Sequence, residues 1–185
     1  MKIFNEDKYL EQLEKEEKWK DIKKYLYEKW KNNKEDIDTT LRLGTECWNI
    51  LEMWDYCINN DGLNYEDFQD ALIEVTEYGL KHFTDNIKFL TVVGYMTNML
   101  PYLFYKENKE EYFTEWENKG RSMLQKAYHL SQNNILAKVL FYGSINDVMK
   151  GNEAKEEIKP ILADLFPGNT SIEQYFREML LREYE

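Results

Sequence analysis

A chain of 185 residues with 43% hydrophobic and 15% aromatic side chains is too rich in large apolar groups for a disordered tail, and long enough for one core. Its net charge of -11 and pI near 4.8 argue against nucleic acid as a direct ligand, because neutralising phosphate takes clustered Lys and Arg in excess of the acids. The first residues turn acidic at Glu6 and Asp7 before any apolar run forms. The charge-free stretch 89–105 is interrupted by Thr91, Gly94, Thr97, Asn98 and Pro101, short of the ~20 apolar residues of a membrane span. The expectation is a cytoplasmic protein of one domain, 1–185, with no membrane segment.

Apolar residues recur at three and four along the whole chain and nowhere alternate, so the fold class is all-α. Residues 5–31 place Leu10, Leu13, Trp19, Ile22, Leu26 and Trp30 on one face of one helix or two, with lysines between them. After the polar turn 32–36, a second helix carries Leu41, Gly44, Trp48, Leu51 and Ile58, and the run 59–62 stops it. Asn64 caps a third helix with Phe68, Leu72, Val75 and Gly79 inward. Residues 84–86 open the uncharged fourth helix, which Pro101 ends or kinks. Phe113, Trp116, Gly120, Met123, Ala127 and Leu130 make a fifth stripe, and Leu136, Leu140, Gly143 and Ile145 or Val148 a sixth. A short seventh element surrounds Pro160. Thr170 or Ser171 caps the last helix, with Glu173 and Gln174 spaced for a capping box. Seven or eight helices joined by short turns imply stacked antiparallel hairpins or an irregular bundle.

The feature that rises above a generic helical domain is the stretch Leu43–Leu80. It holds Glu46, Glu52, Asp55, Asp61, Glu66, Asp67, Asp70, Glu74 and Glu77 with no Lys or Arg, interleaved with Trp48, Trp54, Tyr56, Tyr65, Phe68 and Tyr78. Asp67, Asp70, Glu74 and Glu77 follow at three, four and three, which lines four carboxylates along one side of a helix. Each like-charge neighbour pair costs roughly 0.2–0.5 kcal/mol. Three readings fit: a solvated outer face, a surface for a basic partner, or a stripe neutralised by the Lys-rich segment Lys15–Lys31. The candidate partner-binding residues are Glu66, Asp67, Asp70, Glu74 and Glu77, then Asp55, Tyr56 and Glu52.

Other chemistry finds little footing. His82 and His129 lack metal-ligand spacing and sit where helices end, so no metal or cofactor is expected. Cys47 and Cys57 read as reduced core residues. Aligning Gly62 with the sixth position of a calcium loop puts Cys57 first and Phe68 twelfth, which excludes that site. Asn169-Thr170-Ser171 matches a glycosylation acceptor but reads better as a helix start.

Two junctions are alike, Gly79-Leu80-Lys81-His82-Phe83-Thr84-Asp85-Asn86 and Ala127-Tyr128-His129-Leu130-Ser131-Gln132-Asn133-Asn134, with a looser copy at Asp36. They resemble the junction of a tetratricopeptide repeat, although Thr84 and Gln132 replace its Pro, and the copies lie 48 residues apart rather than ~34. That resemblance implies stacked helical hairpins and, for function, an adaptor holding a peptide in a concave groove. In size, acidity, Tyr and Trp content and helical build, the chain also resembles the small acidic all-helical immunity proteins of bacterial contact-dependent growth-inhibition systems. That resemblance implies a non-catalytic inhibitor that binds a basic toxin domain, commonly a nuclease, and blocks its active site.

Overall fold

The computed structural model describes residues 2–56, 60, 62–107 and 109–184. Their regular structure is all helical: α1 Lys8–Lys15, α2 Trp19–Asn32, α3 Ile37–Glu52, α4 Tyr65–His82, α5 Ile87–Met99, α6 Glu110–Leu130, α7 Ile135–Ser144, α8 Val148–Ile158, α9 Leu162–Leu165 and α10 Ser171–Leu181, with 3-10 turns at Pro101–Phe104 and Lys159–Ile161. The segments exceed the seven or eight expected. Residues 5–31 divide at Glu17, which takes a left-handed φ of 53°, and the element around Pro160 splits into α8, a 3-10 turn and α9. No helix among the described residues is long and apolar enough to cross a membrane.

The junction motif repeats as geometry. Asp36, Asn86 and Asn134 are the N-caps of α3, α5 and α7, and their side chains accept the amide hydrogens of Asp38, Phe89 and Ala137. In each, the cap's own N–H donates three residues back, to the carbonyl of Asn33, Phe83 or Ser131, at 3.2, 3.0 and 2.9 Å. These tight turns join one helical hairpin to the next.

Within a hairpin the connection is looser and the packing closer. Across α3 and α4, Trp54 lies edge-on to Tyr65 with ring centres 5.2 Å apart, while Gly44 faces Val75 further along. In the α5/α6 pair the backbones touch: a Cβ on Gly120 would stand 2.5 Å from the Asn98 nitrogen and 2.7 Å from the Gly94 oxygen. Phe104 stacks on Trp116 where that pair turns round. Lys138 of α7 meets Glu157 of α8 at 2.7 Å. Helices α3 and α5, the first of their pairs, form the most buried column, with α5 buried from Phe89 to Thr97.

A trough along the inner side of α3 and α5 is filled by α10. Tyr175 packs on Trp48 and Tyr95, and Phe176 on Tyr95, Phe4 and Phe166. Beyond α10, Tyr184 lies against Gly143 and Gly151, and Asn152 holds its backbone from both sides.

Some expected core positions are not core. The second helix stops at Glu52, Trp54 turns back onto Tyr65 and Phe68, and Ile58 and Cys57 lie outside the described residues, as do Asn59 and Asp61 of the predicted stop. Phe113 and Leu130 of α6 are exposed, and so are Ile145 and Val148, because α7 ends at Ser144 and the chain turns through Asn146 at φ 55°.

Candidate functional site

The acidic stretch separates into three environments. On α4, the predicted stripe meets lysines of its own fold. Lys23 of α2 reaches Asp67 at 3.5 Å, Lys31 and Lys34 reach Glu74 at 3.2 and 3.7 Å, and Lys106 pairs with Asp70. The Tyr27 hydroxyl also donates to Glu74. Burial works to raise the Glu74 carboxyl, but Tyr27, Lys31 and Lys34 outweigh it and hold the group below its usual range. Neutralisation by lysines of the same fold, one of the three readings of the stripe, is thus present at Asp67, Asp70 and Glu74, where α2, Lys34 and the segment after α5 relieve the repulsion. Glu66 and Glu77 are exposed on the same helix, with no ion pair among the described residues.

At the far end of α3 the picture differs. Glu52 and Asp55 are exposed, and no Lys or Arg of the described residues pairs with either. Aromatic side chains surround them instead. Tyr56 is 88% exposed and Tyr102 47%. The Tyr102 phenol is pushed up by its own partial burial and then by Glu52, Asp55 and Tyr56, which places those acids beside it. Burial first, then Tyr102 and Asp55, raises Tyr65. Tyr175 of α10 is raised by burial, while Tyr95 donates to its oxygen or accepts from it, and Glu52 adds to the upward push. Unpaired carboxylates in a field of phenols thus cap one end of the α3/α4 hairpin, the turn after α5 and α10.

The third environment is sealed. Glu46 of α3 is 1% exposed and lies within a cluster of Arg42, Glu173 of α10 and Glu14 of α1. Nothing in the sequence distinguished Glu46 from its exposed neighbours except its place near the apolar stripe, and Glu173 was read as a capping residue. In fact Thr170 donates its hydroxyl to Glu173 at 2.8 Å, Glu173 accepts the Gly168 N–H at 2.9 Å, and the first amide of α10, Ser171, donates to Glu14 of α1 at 2.7 Å. The cap of α10 comes from another helix.

Cys47 is buried and burial pushes its thiol up to about 12, so it is a core group at neutral pH. His82 stacks on Tyr78 at 4.1 Å in the last turn of α4, and His129 occupies the last turn of α6. Among the described residues no three His, Cys, Asp or Glu converge as a metal-ligand group. No family model, no curated protein and no solved structure matches the chain.

Proposed function

We propose that this chain is a non-catalytic binding protein that engages a basic protein through the acidic, tyrosine-rich end of α3: Glu52, Asp55 and Tyr56 with Tyr102. The observation that carries the reading is a contrast in surroundings: Asp67, Asp70 and Glu74 of α4 have lysines of the same molecule, whereas Glu52 and Asp55 pair with no Lys or Arg among the described residues and, unlike the equally unpaired Glu66 and Glu77, lie beside an exposed tyrosine. Free carboxylates speed encounter with a cationic surface, and half-exposed tyrosines beside them supply the area that slows dissociation. By its resemblance to immunity proteins, the partner is a cationic toxin domain, whose groove for phosphate would accept the two carboxylates.

The test is association of the chain with a purified basic protein encoded by the neighbouring reading frame, followed by stopped flow at low salt. Glu52→Gln with Asp55→Asn slows association about tenfold, an effect of the size electrostatic steering gives. Asp67→Asn with Glu74→Gln, which removes acids already paired, changes it little. Equal slowing by both double variants contradicts the proposal.

A second reading has its own observation. The three like turns before α3, α5 and α7 support a repeat-type adaptor, but its groove is the trough that α10 fills, so a peptide would enter only as α10 leaves.

A further inference from the structure

Four charged side chains meet where α1, α3 and α10 converge. Arg42 donates to the Glu173 carboxylate at 3.3 and 3.4 Å, to the Thr170 hydroxyl oxygen at 3.1 Å and to the Asn5 carbonyl at 3.0 Å. With Gly168 and Thr170 also donating, Glu173 is fully supplied as an anion. Glu14 uses one oxygen to accept the Ser171 N–H.

What is left over does not balance. The second oxygen of Glu14 and both oxygens of Glu46 are buried with no donor, although Arg42 approaches Glu46 to 3.5 Å. Three carboxylates against one guanidinium would leave two net negative charges out of water, at a cost of several kcal/mol each. A single proton halves the excess charge, and an O–H on one carboxyl donates to the orphaned oxygen of the other, leaving one Glu46 oxygen toward Arg42.

We infer that Glu14 and Glu46 share one proton, and that this proton latches α1 and α10 onto α3, so that α10 leaves the trough as the pH rises. The groups facing Glu46 are Glu14 from α1, Arg42 on its own helix and Glu173 from α10. Burial, then the Glu14 charge, raises Glu46 well above the ordinary carboxylate value. Glu14 is raised too, by burial. The folded chain therefore holds a proton that the unfolded chain releases near pH ~4.3. Its stabilisation is complete below that value and declines as the pH climbs toward the raised one. Deprotonation puts a second anion beside Glu173 and strikes at the N-terminal end of α10, whose amides already depend on Glu14 and, at Asn169, on Glu11. Release of α10 uncovers Trp48 and Tyr95, which gives the fold a trough open at high pH and closed at low. This device is independent of the acidic end of α3.

Hydrogen exchange at α10 and α5, corrected for intrinsic rates and followed against pH, tests the latch. In the unaltered chain the opening constant of α10 rises about tenfold per pH unit above the usual carboxylate range and stays larger than that of α5 throughout, as one linked proton and a separate release of α10 require. In Glu46→Gln, whose amide donates to Glu14 without titrating, α10 stays closed and its slope is flat. An unchanged slope in Glu46→Gln, or α10 and α5 opening with the same constant at every pH, overturns the inference. A carboxyl-carbon NMR titration of the unaltered chain gives a readout that needs no variant. The Glu46 resonance stays protonated well above the ~4.3 of a free side chain, and ionisation at the ordinary value overturns the latch.

Discussion

Two acidic surfaces built from one stretch of sequence behave differently, and the difference lies in what the fold sets opposite them. Along α4, carboxylates at helical spacing look outward in sequence but run beside α2, whose Lys23 and Lys31, with Lys34 just beyond, meet Asp67 and Glu74. At the end of α3, two carboxylates nine and six residues before Asp61 have phenols for neighbours and no Lys or Arg ion pair among the described residues. Most of the predicted stripe on α4 is paired, leaving Glu66 and Glu77, whereas both acids at the α3 end are unpaired and sit beside tyrosines. Glu46, one turn and a half earlier on the same helix, is the opposite extreme, an acid sealed from water. Charge in a sequence marks where carboxylates are, and only packing decides which are available to a partner.

The largest effect expected is in the sealed environment. Arg42→Met removes the counter-charge of Glu173 and leaves buried carboxylate unpaired, so urea unfolding should show a loss of about 3–5 kcal/mol. Next, Gly120→Ala tests the scaffold that carries both acidic surfaces, because its Cβ would strike the backbone of α5 at Asn98 and Gly94, which have no rotamer by which to yield. A loss of about 1–3 kcal/mol in the same assay is expected. At the α3 end, Tyr56→Ala with Tyr102→Ala should leave unfolding within about 0.5 kcal/mol of the parent, as exposed positions do. Dissociation from the basic partner should quicken about tenfold, read by surface plasmon resonance. The smallest change belongs to α4. Lys31→Ala breaks an exposed pair and should leave the urea midpoint indistinguishable from the parent, while an NMR titration of Glu74 should move upward toward its ordinary value.

The helical class, most boundaries and the three capped junctions were legible because each has a local cause. Periodic apolar residues fix a helix face, and an Asn or Asp placed before it fixes the start. Asp36, Asn86 and Asn134 are caps in the structure for that reason. The acidic stretch was legible as a stretch, but its surroundings were not. Glu66, Asp67, Asp70, Glu74 and Glu77 rank first on spacing along one helix, and spacing carries no information about Lys23 or Lys106, which arrive from 44 residues before and 36 after. Glu52, Asp55 and Tyr56 rank second, and spacing does not show Tyr102 beside them either. The Glu14–Glu46–Glu173 cluster was invisible for the same reason, since its members are brought together only when α1 and α10 close over α3. At the start of α10, Thr170 is the N-cap residue as the motif Thr-x-x-Glu indicates, but Glu173 does not close a capping box, because Arg42 offers it a stronger partner.

The claim that the end of α3 holds the free acidic charge is tested most directly by titrating the labelled chain with an oligolysine peptide at low salt and following backbone amide shifts residue by residue. The largest shifts are predicted at Glu52, Asp55, Tyr56 and Tyr102, fading as salt screens the contact, with Asp67 and Glu74 nearly still. Shifts concentrated on Asp67, Asp70 and Glu74 would contradict it, since those acids would then be open to an outside cation despite Lys23, Lys31 and Lys106.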